Sequence, residues 1–230
     1  MELSSDLFTD DFFVPLSGGL SSPTLFRRHL KNNKQTENTE MEPRHAETDT
    51  HGILFTSIAD TIPHYSHPHD AINRITPQTL CKLLCGEFVE DRPVLVVDCR
   101  YSYEYEGGHI QDAQNISAIS DMEKSLFSSV ERNTVVVFYC EYSVSRAPAM
   151  ALAARGKDRQ LNRGRYPALH YGDLFVLGGG YCSFFAAAPT LCTPQQYTQM
   201  DDAAYCDRLR EERAEKKRKD FSRKRIIKSF

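Results

Sequence analysis

An unbroken apolar run, Thr134-Val-Val-Val-Phe-Tyr139, leads directly into Cys-Glu-Tyr-Ser-Val-Ser-Arg at residues 140–146, and an Ala-rich stretch to Arg155 follows. The run carries no polar alternation, so it reads as a strand buried on both faces of a parallel sheet. Pro148 then falls in the first turn of a helix, where its missing N–H does no harm. A strand, a seven-residue loop and a helix N-terminus form a cup of backbone N–H groups at the positive end of a helix dipole. A thiol at its base is expected as thiolate, its pKa lowered from about 8.5 into a range of roughly 3.5–7.5. Arg146 adds a planar fork suited to two oxygens of a phosphate. Cys140 and Arg146 are therefore the candidate catalytic pair for attack of sulfur on phosphorus, with residues 141–146 (Glu141, Tyr142, Ser143, Val144, Ser145, Arg146) as the phosphate-binding loop. The spacing alone also fits a buried structural Cys followed by a surface Arg.

The flanking pattern supports an α/β reading. Thr76 is expected to cap, and Pro77 to open, a short helix carrying Leu80, Leu83 and Leu84 on one face and stopped by Gly86. Pro93-Val-Leu-Val-Val-Asp98 reads as a strand, residues 121–130 as a weak helix, and Leu174-Phe-Val-Leu177 as a strand ended by three glycines. Strands alternating with helices imply a central parallel sheet with helices on both faces and ligands at strand C-terminal ends. Cys140 lies at such an end.

Composition divides the chain into three. Residues 1–70 are rich in Ser, Thr, Asn, Glu and His and are expected to be a largely disordered regulatory region, with Ser22-Pro23 near Arg27 and Arg28 as a candidate phosphorylation segment. Residues 71–206 are the expected catalytic domain. Residues 207–230 carry eleven Lys/Arg against five Asp/Glu, a local +6 in a chain of net charge −3, and read as a basic, partly helical tail. Lys216-Lys-Arg-Lys219 and Arg223-Lys-Arg225 fit either a nuclear-import signal or a solvated helix end. No nucleic-acid fold signature accompanies them, so sequence-specific nucleic-acid binding is not expected. No apolar run approaches the roughly 20 residues of a membrane span, and no signal-peptide pattern stands at the N-terminus. Seven cysteines without metal-like pairing fit a reducing compartment. His64, His67 and His69 lie in a Pro-containing loop without a fourth ligand, so no metal is expected.

Asp98-Cys-Arg-Tyr-Ser-Tyr-Glu-Tyr-Glu-Gly-Gly-His-Ile110, with Ala113 and Asn115, resembles the signature of the M-phase inducer phosphatases, which are rhodanese-fold dual-specificity phosphatases that activate cyclin-dependent kinases. The loop resembles theirs in length, in Glu141 and in Ser143. Tyr166-Pro167, Leu177-Gly-Gly-Gly-Tyr181, Phe184-Phe185 and Cys192-Thr-Pro-Gln-Gln-Tyr197 through Met200 resemble the family's C-terminal half. Four positions depart from it: Tyr139 where the family has His, Ser145 for Glu, Ala147 for Gly and Ala149 for Arg.

The resemblance implies a rhodanese-like fold and hydrolysis of phosphotyrosine and phosphothreonine on a cyclin-dependent kinase–cyclin complex, without cofactor or metal, in nucleus and cytoplasm. It implies that Cys99 is a redox partner able to form a reversible disulfide with Cys140. It also implies that Arg155 and Arg159 dock the kinase. Glu141, the one carboxylate within the loop, is a candidate general acid. Asp98, Arg100 and His109 are expected to hold the fold. Other readings stay open: a sulfurtransferase, though rhodaneses commonly use a loop one residue shorter; an arsenate reductase, which shares the seven-residue loop; and a non-catalytic binding module, consistent with Tyr139 and Ser145.

Overall fold

A computed structural model describes residues 61–228 apart from 69, 90, 91, 129–133 and 166, with residues 224–228 described through their backbone. In chain order the elements are β1 (Tyr65–His67), β2 (Asp70–Ile75), α1 (Pro77–Leu84), β3 (Val94–Asp98), α2 (Ser102–Glu106), β4 (His109–Ile110), β5 (Gln114–Asn115), α3 (Ile119–Phe127), β6 (Val135–Tyr139), α4 (Arg146–Leu161), β7 (Leu174–Leu177), α5 (Gly180–Ala187), β8 (Cys192–Thr193) and α6 (Cys206–Lys228). Six strands form one sheet in the order β1-β2-β7-β6-β3-β5, and β4 pairs with β8 apart from it. All pairings in the main sheet are parallel except that of β1, the antiparallel edge. The expected parallel sheet is present, with β6 at its centre.

Alternation along β6 sorts the core into two layers. Val135, Val137 and Tyr139 face Leu80 and Leu83 of α1 and Tyr181 and Phe184 of α5. Val136, Phe138 and Cys140 face Met122 and Leu126 of α3 and Met150, Ala151 and Ala154 of α4. Helices thus cover both faces of the sheet, and the Cys140 side chain belongs to the α3/α4 layer. The α1 cap is as expected: Thr76 Oγ1 accepts from Thr79 N–H at 3.1 Å, and Gly86 follows the helix at φ +87°.

The folded unit begins before residue 71, because Ile62 is 1% exposed in the core and β1 pairs with β2. The region downstream of residue 206, expected to be partly helical, forms the docked helix α6. On α6, Arg208 pairs with Glu106 at 2.8 Å, Lys219 with Asp121 at 3.0 Å and Arg223 with Glu123 at 2.7 Å. Its acids reach helix N-termini whose N-cap residues, Tyr101 and Ala118, make no side-chain cap bond: Glu212 accepts from Ser102 N–H at 2.7 Å, and Asp220 from Ile119 N–H at 3.2 Å. That borrowed acceptor is why α3 starts at Ile119, two residues before the expected position. The Ser22-Pro23 segment, His69, Tyr166 and the ends of the residue 121–130 helix, at Ser129 and Val130, lie outside the described residues, as do the side chains of Lys224 and Arg225.

Ile62 tests the revised boundary. Ile62→Ala is expected to lower the unfolding free energy by about 2–4 kcal/mol, measured by urea titration. No loss would place residue 62 outside the cooperative unit.

Candidate active site

Cys140 follows β6 directly and is 3% exposed. The loop turns sharply at Ser143, whose φ of +54° lies in the left-handed region that a serine seldom adopts. Two contacts hold it there. Cys140 N–H donates to Ser143 Oγ at 3.4 Å, and the buried Arg74 of β2 donates from Nη1 to the Ser143 carbonyl at 2.8 Å.

The other side of the loop rests on α5. Tyr181 N–H donates to the Cys140 carbonyl at 2.9 Å, and Cys182 N–H to the Glu141 carbonyl at 3.0 Å. The loop therefore caps α5 while α5 fixes the loop. This close approach explains the glycine run: a Cβ on Gly180 would stand 2.3 Å from the Cys140 carbonyl oxygen, and its φ is +62°.

Arg146 opens α4 beside the thiol. Its guanidinium forms a two-point ion pair with Glu104 of α2: Nη2 lies 3.0 Å from Oε1, and Nη1 bonds the other oxygen. Glu104 is fully buried and also accepts from Tyr101 N–H at 3.0 Å, while the Tyr101 ring lies 5.4 Å below the guanidinium carbon. Burial holds the Glu104 carboxyl above its usual range, although Arg146 pulls it the other way. Burial opposes the Arg146 charge too, but Glu104 outweighs it and holds the guanidinium pKa above its ordinary value. The fork thus stays aimed without depending on its own rotamer preference.

Glu141 does not face solvent. It is 4% exposed, accepts from the Tyr197 hydroxyl at 2.9 Å, and lies 3.6 Å from Arg146 Nη2. Tyr142 and Val144 stand exposed at the mouth, and Ser145 precedes α4 without making a side-chain cap bond.

Cys99 follows β3 and is fully buried in the same layer as Cys140. Asp98 pairs with Tyr139 in the sheet, and Cys99 N–H donates to the Tyr139 carbonyl at 2.8 Å, so the two cysteines cap neighbouring strands. Burial above all, with Cys140 and Asp98 nearby, pushes the Cys99 thiol well above its ordinary range. Both cysteines are free thiols.

The remaining expected residues separate. Asp98 and Arg100 form a fully buried ion pair at 2.7 Å. His109 Nδ1 lies 2.9 Å from the Tyr105 carbonyl oxygen, and its ring stacks on Tyr105 at 3.6 Å. Tyr139 points into the α1/α5 layer, where its hydroxyl accepts from Ile110 N–H at 3.2 Å, so this departure lies across the sheet from the Cys140 side chain. Among the described residues no cluster of His, Cys, Asp and Glu could hold a metal. Arg155 turns inward and donates to the Tyr171 and Gly172 carbonyls at 2.6 and 2.9 Å, which anchors α4. Arg159 is exposed.

Sequence reading missed Glu104, Arg74 and Tyr197. The first two are charged residues that the fold buries, and their partners stand 42 and 69 positions away. The only local sign for Glu104 was its place three residues after Tyr101, matching a capping box.

Residues 85–187 match the family model of the rhodanese-like domain. The chain is 39% identical over 149 residues to M-phase inducer phosphatase 2 of Rattus norvegicus, covering 62% of this chain and 26% of that protein. It is 35% identical over 167 residues to the M-phase inducer phosphatase of Schizosaccharomyces pombe, covering 71% of this chain and 28% of that protein. The chain thus spans about a quarter of the length of these relatives. Among solved structures, an As–Sb reductase from Leishmania major is 25% identical at a TM-score of 0.40, covering 52% of this chain and 83% of that one.

The Glu104–Arg146 pair is testable without turnover. Glu104→Gln keeps the side-chain shape and leaves Arg146 half-paired, so the unfolding free energy should fall by about 2–4 kcal/mol. Tungstate affinity, read by calorimetry, should weaken roughly tenfold. Wild-type values for both would show that Arg146 needs no partner.

Proposed function

We propose that this chain is a cysteine-dependent dual-specificity phosphatase of the M-phase inducer family, whose substrate is a cyclin-dependent kinase bound to cyclin; its support is the rhodanese-like match together with the similarity to M-phase inducer phosphatases. The observation that carries the reading is the loop itself. Cys140 lies at its base, the Cys140, Glu141 and Ser143 carbonyls are each drawn away by a donor, and Arg146 is held in a fork beside the thiol.

In the proposed reaction the Cys140 sulfur forms a bond to phosphorus as the bond from phosphorus to the tyrosyl or threonyl oxygen breaks. Backbone N–H groups of the loop and Arg146 bind the three non-bridging oxygens and take up the charge that develops on them. The leaving oxygen gains a proton, for which Glu141 is the candidate donor; Tyr197 fixes its carboxyl at the loop. Water then attacks the phosphocysteine, releasing phosphate and restoring the thiol. No metal takes part.

A shallow cup with Tyr142 and Val144 at its rim reads a phosphorylated side chain and little else, so choice of kinase falls to a docking surface, with exposed Arg159 as its candidate residue. We assign the protein to nucleus and cytoplasm. The support for nuclear entry is the Lys216–Lys219 run on α6, of which Lys217 and Arg218 are exposed while Lys219 is paired to Asp121.

We further infer that Cys99 protects Cys140. Peroxide oxidises the Cys140 thiolate to sulfenic acid, and the Cys99 thiol then displaces water to close a disulfide. Peptide mapping after mild peroxide should find a Cys99–Cys140 link reversed by dithiothreitol, and Cys99→Ser should accumulate sulfinic acid at Cys140. Sulfinic acid alone in the parent protein would refute the pairing.

The function itself is tested on a bisphosphorylated kinase–cyclin complex and on an aryl phosphate without added metal. Cys140→Ser should lower turnover on both by on the order of a thousandfold. Arg146→Lys should lower it by roughly ten- to a hundredfold, because an ammonium cannot bridge two oxygens. Full activity of Cys140→Ser would overturn the mechanism.

A further inference from the structure

Arg74 is an arginine inside a strand, 5% exposed, at a register position opposite Val176 of β7. A buried guanidinium needs partners. One is Asp70, whose Oδ2 lies 2.7 Å from Nη2 and whose Oδ1 accepts from Ile72 N–H at 3.1 Å. The other is the carbonyl oxygen of Ser143, 2.8 Å from Nη1. Ser143 is fully buried and sits at a positive φ.

A trans peptide group is planar, so the carbonyl of one residue and the N–H of the next point in opposite directions. Fixing the Ser143 carbonyl toward β2 therefore fixes the Val144 N–H away from β2. Tyr181 and Cys182 of α5 do the same for the Cys140–Glu141 and Glu141–Tyr142 peptide groups through the Cys140 and Glu141 carbonyls. The loop is thus gripped by three of its carbonyls, two by a helix end and one by a single side chain. The helix end is backbone and survives most substitutions. The third grip depends entirely on Arg74.

We propose that Arg74 is a positioning residue of the phosphate-binding loop, orienting the Ser143–Val144 peptide so that the Val144 N–H faces the bound oxyanion. The proposal rests on the phosphatase reading above. Arg74 touches no reacting atom, and its contribution is made through the loop backbone. Asp70 is what makes the grip rigid: it fixes one side of the guanidinium so that the other has a single direction. A Ser143–Val144 peptide released from Arg74 is free to flip and present its carbonyl to the anion instead, which replaces a favourable dipole with an opposing one.

The test uses the full chain, with tungstate as the probe for binding and vanadate for inhibition of aryl phosphate hydrolysis. Arg74→Gln and the pair Asp70→Asn/Arg74→Gln are compared with the parent; the pair leaves no lone buried charge, so it remains informative if the single variant fails to fold. Both are expected to weaken tungstate binding and raise the vanadate inhibition constant tenfold or more, with the melting temperature of the pair within a few degrees of the parent. A folded pair variant with parental tungstate affinity would overturn the proposal and leave Arg74 as a brace of the β1–β2 edge. A parent chain that binds tungstate but hydrolyses no aryl phosphate would sink the phosphatase reading while the tungstate comparison still decides the role of Arg74.

Discussion

The buried pair of Asp98 and Arg100 is the interaction on which the rest of this structure depends. Both side chains are fully buried, and the guanidinium reaches Asp98 through Nε and Nη2 and the Gly108 carbonyl at 2.7 Å. Its Nη1 has no hydrogen-bond partner among the described residues; the guanidinium carbon instead lies 4.0 Å from the centre of the Tyr181 ring, whose π face offers the cation a substitute. Three segments converge on this one charge: the end of β3, the turn before β4 and the first residues of α5. Breaking such a pair leaves an uncompensated charge in the interior, at a cost of about 3–5 kcal/mol. The positional consequence matters as much. Asp98 also accepts the Arg100 N–H at 2.9 Å, so the chain leaving β3 has one path, and that path carries Tyr101 and Glu104 to Arg146.

The candidate site is accordingly a meeting point of supports instead of a local motif. The C-x5-R segment brings the thiol and the cation, but its shape comes from β2 through Arg74, from α2 through Glu104 and from α5 through two backbone amides. Two cysteines end neighbouring strands in unlike settings. Cys140 lies at the helix end and beside a guanidinium, whereas burial holds Cys99 as a thiol.

What could be read in the sequence follows from how local the cause is. β6, β7 and α4 were visible because burial on both faces leaves a continuous apolar run and Pro148 marks a helix start. α1 was visible because its cap lies three residues from the amide that it serves. β2 was hidden, since Asp70-Ala-Ile-Asn-Arg-Ile75 places an arginine where a strand would bury a hydrophobe. The start of α3 was hidden because its acceptor, Asp220, lies 101 residues downstream. The carbonyl contacts of Arg155 were hidden for the complementary reason: an arginine near a helix end reads as surface charge, and only the fold brings two backbone carbonyls within its reach. In each failure a polar group answers to a distant partner, and pattern rules carry no information about distant partners.

Helix α6 has a bearing on the order in which the molecule can be assembled. The first amides of α2 and α3 wait for Glu212 and Asp220, which are separated from them by 110 and 101 residues. During synthesis the strands, the Cys140 loop and α5 all emerge before those two acids exist. A nascent chain can close its sheet and pair Glu104 with Arg146 early, but the Ser102 and Ile119 amides stay with water until α6 is made.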